Sequence, residues 1–202
     1  MPNSSATGGF LPQLNTPLSD DALMNVIHDT ISGITGIPAN LVRPRWQPGI
    51  DVNGNRITPP NQPPAGTLWC GVGITLRTST DYPQIRHING GPDRLTRWSQ
   101  LTVLASIFGP GCQGIAEQLR DGLYVWQNQE LLNTVGVKVI DAGEIAAVPD
   151  LTNYQWINRA DVPIHLAQAV DRDYNVLDIV ESAGTITSDT GVSDPFDVTA
   201  AG

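Results

Sequence analysis

The sequence predicts an α+β protein: two helices packed on a mainly antiparallel four-stranded sheet, with an extended N-terminal arm and a protruding β-hairpin loop. Three observations lead there. Apolar residues recur at helical spacing in two stretches and alternate at strand spacing in four, in the order helix, hairpin, helix, hairpin. The strands alternate apolar with polar residues, which suits a sheet with one covered and one open face. Finally, 40% hydrophobic and 15% charged residues in a 202-residue chain are enough for one real core and too lightly charged for disorder.

Residues 1–18 contain GGFLP and three prolines with little periodicity. They read as an extended arm whose Phe10, Leu11 and Leu14 need a surface to cover them, on their own domain or on a neighbour. Helix one begins at Ser19, a good N-cap, and Asp20 and Asp21 suit the positive end of the helix dipole. Leu23, Ile27, Ile31 and Ile34 form its apolar stripe, and Gly33 and Gly36 end it. Pro38 opens a short second turn that Pro44 stops. Six of the sixteen prolines fall in 44–66, around IDVNGNRIT (50–58). Asn53-Gly54 is a type I′ turn signal, so this insertion reads as a proline-braced hairpin.

Residues 67–78 alternate, with Leu68, Cys70, Val72, Ile74 and Leu76 on one face. Residues 94–108 place Leu101, Val103, Ala105 and Ile107 on one face, and the two runs read as an antiparallel hairpin. Helix two spans about 111–126 on the stripe Ile115, Leu119, Leu123, Trp126. Two further strands follow at 136–145 and 159–170, the latter burying Val162, Ile164, Leu166 and Val170. The expected organisation is an arm at 1–18, a single domain at 19–182, and an acidic polar tail at 183–202. That tail is a candidate for disorder unless a partner holds it.

Charge is distributed unevenly. Residues 1–101 carry seven Arg against six acids, net +1, and residues 102–202 carry four basic against fourteen acidic residues, net −10. An acidic half repels phosphates, which argues against a protein that grips DNA, although repulsion is useful where DNA must pass without sticking. No apolar run approaches the ~18 residues of a membrane span, and the polar start MPNSSATGGF lacks a signal-peptide layout. Two cysteines make neither a disulfide framework nor a zinc cluster, and His28, His87 and His165 have no ligand-spaced partners. A soluble, metal-free protein without a cofactor is expected.

One pattern suggests an enzyme. Gly109, Gly111 and Gly114 fit G-x-G-x-x-G between a predicted strand and a predicted helix, and the next strand ends in Asp141, the layout of a dinucleotide site. Against it, the preceding strand alternates, only one such unit exists, and Asp141 lies 27 residues beyond Gly114. The bland reading is a tight strand-to-helix turn. Arg43, Arg45 and Trp46 gather between two prolines at the base of the long loop. They read as interface anchors or, for Trp46, as a plug in its own core.

GGFLP near the start, GITGIPANLVRPRWQP (33–48), LTRWSQLTVLASIFGPG (95–111), the Asp121-Gly122-Leu123 step and NRADVPIHLA (158–167) resemble the neck or tail terminator proteins of tailed bacteriophages. The resemblance runs in order over about 8–182. It implies two helices against a mainly antiparallel sheet, and a ring, usually of six subunits, that caps the tail tube and joins it to the head connector. The implied partners are further copies of itself, the tail tube, head connector or adaptor proteins, and a sheath if the tail contracts. DNA passes through without specific binding, no membrane is involved, and the site of action is the virion neck, assembled in the host cytoplasm. The family has no active site to carry over. A head-completion or adaptor protein is the nearest alternative, and a nucleotide-binding enzyme on the 109–114 turn the more distant one. Phe10, Leu11, Arg43, Arg45, Trp46, Asn53 and Gly54 are the candidate interface residues. Asp171, Asp173 and Asp178 are candidates for a negative surface facing the DNA channel.

Overall fold

The computed structural model describes residues 3–4, 6–45, 63–64, 66–88, 90–152, 155–177, 181–191 and 193–199. Trp46, the hairpin expected at 50–58 with Asn53 and Gly54, and Asp178 lie outside the described residues. The helices are α1 (Asp20–Thr35), α2 (Cys112–Gly122) and α3 (Glu130–Thr134). The strands in chain order are β1 (Val42–Pro44), β2 (Trp69–Ser79), β3 (Gln84–Arg86), β4 (Asp93–Phe108), β5 (Val137–Ala142), β6 (Ala146–Ala147), β7 (Asp150–Thr152), β8 (Gln155–Ile157), β9 (Arg159–Tyr174), β10 (Glu181–Thr187) and β11 (Ser193–Thr199).

The class is α+β, with three helices where two were expected and a seven-stranded sheet where four strands were expected. The main path is β1-β2-β4-β9-β5, with β3 on β4 and β6 on β9, and two separate hairpins, β7–β8 and β10–β11. The expected long strands are present. The additional members of the sheet are two or three residues long, too short for an alternating pattern to register. β1 runs parallel to β2, which makes the mainly antiparallel sheet mixed. The tail beyond Ala183 pairs in register from Glu181↔Thr199 to Thr187↔Ser193 around Gly191, whose φ is 81°. Its strands carry mostly small and polar residues, so apolar alternation gave no sign of them.

Two compact units divide the chain. The larger comprises residues 17–83 and 97–170, the smaller 1–16, 84–96 and 171–202. In the larger unit α1 begins as its sequence dictates. The Ser19 hydroxyl accepts from the Ala22 N–H at 3.2 Å, and Gly36, at φ 71°, turns its N–H back to the Ser32 carbonyl. A 3-10 turn at Ala39–Leu41 follows Pro38. Leu23, Ile27 and Ile31 of α1, Ala116 and Leu119 of α2, and Leu132 of α3 pack on Leu101, Val103, Ala105, Ile107, Val162, Ile164 and Leu166 of the sheet.

Two expectations about faces fail for identifiable reasons. Leu76 is exposed because the register shifts between Ile74 and Leu76. One residue inserted in a strand reverses the faces of everything after it. Trp126 is also exposed, because α2 stops at Gly122 and the chain turns into a 3-10 helix at Trp126–Gln129. A Cβ at Gly122 would stand 2.5 Å from Cγ2 of Ile34, so glycine permits the close approach of α2 to α1 there.

Leu101 has no exposed surface and sits at the centre of this core. Leu101→Ala should lower stability by about 3 kcal/mol. In urea titrations the midpoint should fall while the slope stays unchanged.

Candidate assembly surface

The glycine turn is accounted for by backbone packing. Gly109, at φ 104°, donates its N–H to the Asn158 carbonyl at 2.9 Å, and a Cβ there would run into the Thr67 carbonyl. Gly111, at φ 73°, is the residue before α2. β9 lies between β4 and β5, so the strands flanking α2 are not neighbours and no dinucleotide-binding βαβ unit forms. A cleft of about 390 Å³ does open at the start of α2, beside Gln113, Asn158 and Arg159. Arg159 is already committed. Its guanidinium donates to both Asp161 oxygens at 2.8 and 2.6 Å, lies 3.7 Å from Asp150, and stacks 5.5 Å over the Phe108 ring.

Other chemically active groups are likewise engaged. Cys70 is fully buried, and burial, with the Asp161 charge, pushes its thiol up to about 12. Cys112 is raised by burial as well. Thiols held protonated in a core are inert. Each histidine meets a carboxylate that spacing did not reveal: His87 Nδ1 is 2.6 Å from Asp93, and His165 Nδ1 is 2.6 Å from Asp141 across β5 and β9. His28 faces two acceptors, Asp29 at 2.8 Å and the Ala39 carbonyl at 2.9 Å. An imidazole donates to both only as the cation. Burial opposes that charge, but the bonds to Asp29 and Ala39 outweigh it and raise the pKa. Among the described residues no group of three His, Cys, Asp or Glu is placed to hold a metal ion.

The candidate residues of the smaller unit form a clasp. Backbone and side chain of the arm both bind the end of β9: the Leu14 N–H donates to the Asp173 carbonyl at 2.8 Å, and Gln13 bridges to Tyr174. The Asn15 carboxamide acts as a substitute peptide, donating to the Asp171 carbonyl at 3.0 Å and accepting from the Asp173 N–H at 2.8 Å. From β4, Arg94 grips the Asp173 carboxylate with two bonds of 2.8 and 3.2 Å, and the Thr96 hydroxyl donates to Asp171 at 2.6 Å. Asp173 is therefore half of an ion pair, and the expected free acidic charge is compensated there. The tip of the arm is unlike its anchor. Phe10 is 96% exposed and Leu11 partly buried, in a loop closed by Asn3 donating to the Phe10 carbonyl.

In the larger unit, Arg43 and Arg45 bond different described partners. Arg43 Nε reaches the Asn40 carbonyl at 3.4 Å, whereas Arg45 spans β2 to donate to Ser106 Oγ on β4 at 2.7 Å. Sequence reasoning missed a second exposed group, Tyr124, Trp126 and Ile140, which surrounds β5. The Tyr124 hydroxyl accepts from the Ala142 N–H at 3.1 Å, and Lys138 Nζ lies 5.8 Å from the Trp126 ring centroid. The signal was present in the Asp121-Gly122 step, which ends the helix early and turns Trp126 outward.

The arrangement offers surfaces for other proteins rather than reacting groups. The phage neck terminator protein family matches residues 21–191, which covers α1 from its second residue, α2, α3 and the whole seven-stranded sheet. The chain belongs to that family, whose members are structural proteins of the virion neck and not enzymes. No curated protein matches it.

The clasp sets a pH dependence. The bond from Arg94, with its nearby charge, holds the Asp173 carboxyl below its ordinary value. A lowered pKa in the folded chain contributes stability above the usual carboxylate range, lost as pH falls through the lowered value. Arg94→Ala should shift release of the arm to higher pH, read on the Leu14 and Asp173 amide resonances in an NMR titration.

Proposed function

We propose that this chain forms a ring, of six subunits as in similar terminators, that caps the phage tail tube and joins it to the head connector. The observation that carries the reading is the family match over 21–191. The exposed arm tip at Phe10, and the exposed aromatic residues around β5, support a protein completed by its neighbours. In this reading Phe10, Leu11, Arg43, Arg45, Trp46, Asn53 and Gly54 serve contacts between subunits or with tail and head components, and with a sheath in a contractile tail.

Particles from a phage with an early stop codon in this gene test the reading by negative-stain microscopy. Filled heads without tails, beside unattached tails of irregular or excess length, are expected. Leaking heads with normal free tails would transfer the protein to the head side of the neck, as a completion or adaptor protein. Ordinary infectious particles would overturn the structural role.

The acidic half suits a channel through which DNA slides without binding. The Asp173 charge is paired with Arg94, whereas Asp171 accepts only a neutral hydroxyl from Thr96, a bond that asparagine can also accept, so the charge test falls on Asp171 and Asp178. Asp171→Asn with Asp178→Asn should slow DNA ejection while particles still assemble. Unchanged ejection kinetics, followed by dye release from purified virions, would count against a negative lumen.

A further inference from the structure

A ring needs each subunit to present two different surfaces, one for each neighbour, because only a head-to-tail contact closes by rotation into a ring of more than two. The main sheet path ends in two unlike edges, β5 on one side and β1 with β2 on the other, and the groups that flank both edges lie in the larger unit.

The β5 edge is a knob. Trp126 is 69% exposed, Tyr124 57% and Ile140 47%. Ile140 faces outward at a register shift between Val139 and Asp141. Tyr124, in the turn after α2, bonds to Ala142 of β5, and Trp126, at the start of the 3-10 helix, lies beside Lys138 of β5, so both rings are held against that strand. Exposed, preorganised Trp and Tyr are the residues that most often carry binding energy at interfaces. Lys138 is the only lysine in the chain.

The opposite edge is a groove. β1 ends with Pro44 opposite Val72, and beyond it β2 has no strand on that side among the described residues. Between this stretch of β2 and the start of α1 lies a groove of about 660 Å³, with Met24, Pro44, Ile74 and Leu76 in its lining beside two acids, Asp20 and Asp21, and two arginines, Arg45 and Arg77. The shift that turned Leu76 away from the core points it here. Arg77 pairs with Asp20 at 2.8 Å, which leaves Asp21 as a carboxylate of the lining without an ion pair among the described residues. The knob carries aromatic bulk and an ammonium group, and the groove carries apolar side chains and the Asp21 carboxylate, with Arg77 paired to Asp20 and Arg45 bonded to Ser106. Each end complements the other and not itself.

We propose that neighbouring copies join head to tail, with the Tyr124–Trp126 knob and Ile140 of one subunit seated in the α1–β2 groove of the next, and Lys138 meeting Asp21. This rests on the ring reading above and specifies which surfaces make the ring.

The test uses assembled phage carrying Leu76→Cys and Trp126→Cys in this protein, treated with a short bismaleimide. Cys70 and Cys112 are buried and do not compete. The double variant is expected to give a ladder of covalent multimers, and each single variant only monomer, since this contact never brings the same position together twice. Absence of a ladder from particles that contain the double variant would overturn the interface. Dimers from either single variant would overturn it equally, because they require a two-fold contact. If Trp126→Cys chains fail to enter particles, Ile74→Cys with Ile140→Cys keeps both anchors and reads the same contact. Image reconstruction of wild-type necks separates the two levels. A ring without a ladder overturns this interface alone, and a neck without a ring of this protein overturns the ring reading.

Discussion

The larger unit depends on the need to cover one face of a sheet with very little chain. Alternate residues of β4, from Leu101 to Ile107, have no exposed surface at all. Burying one such aliphatic side chain contributes about 1.5–3 kcal/mol, so an uncovered face would leave the fold without its main source of stability. The cover is α1 and α2, brought together by Gly122, with α3 filling one end through Leu132. Trp69 stacks on Phe108 at 4.2 Å, and Arg159 lies over Phe108 while holding Asp161. The core is consumed by this arrangement. No buried polar cluster is left over for chemistry among the described residues, and the edges of the sheet are what the protein has to offer other molecules.

Periodicity made the long elements legible and failed where geometry is not periodic. α1 was readable to its capping residues because a hydroxyl N-cap, two early acids, a 3.6-residue stripe and a terminal glycine agree with one another. β2, β4, β5 and β9 were readable because a long alternation of apolar and polar residues fits a half-buried strand and little else. The two register shifts, at 74/76 and 139/141, left no mark in the pattern of residue types, so Leu76 read as core and Ile140 drew no notice. Strands of two or three residues give no alternation, and a polar hairpin such as β10–β11 gives no apolar signal.

The candidate sites were less legible than the fold, because their partners lie far apart in sequence. Asn15 bonds a backbone 156 residues away, and Arg94 meets Asp173 across 79 residues. Composition could count Asp173 among the acids of the second half, and only the fold shows its charge already balanced. The same holds for His165 and His87, whose carboxylate partners are set by a cross-strand register and by a turn. In contrast, the arm's apolar residues were readable as needing cover, because a segment without periodicity has no core of its own, and Phe10 is the one left 96% exposed.

Gly122 carries a consequence for how this family varies. Ile34 and the bare Cα of residue 122 share one volume, so the pair behaves as a single packing unit. A lineage that gains a methyl group at 122 keeps the helices together only if position 34 gives up its Cγ2 methyl in compensation, as alanine does and valine does not. The two positions should therefore change jointly across relatives. A sequence with both a side chain at 122 and an isoleucine at 34 must have moved α2 outward, and with it the aromatic segment that α2 leads into.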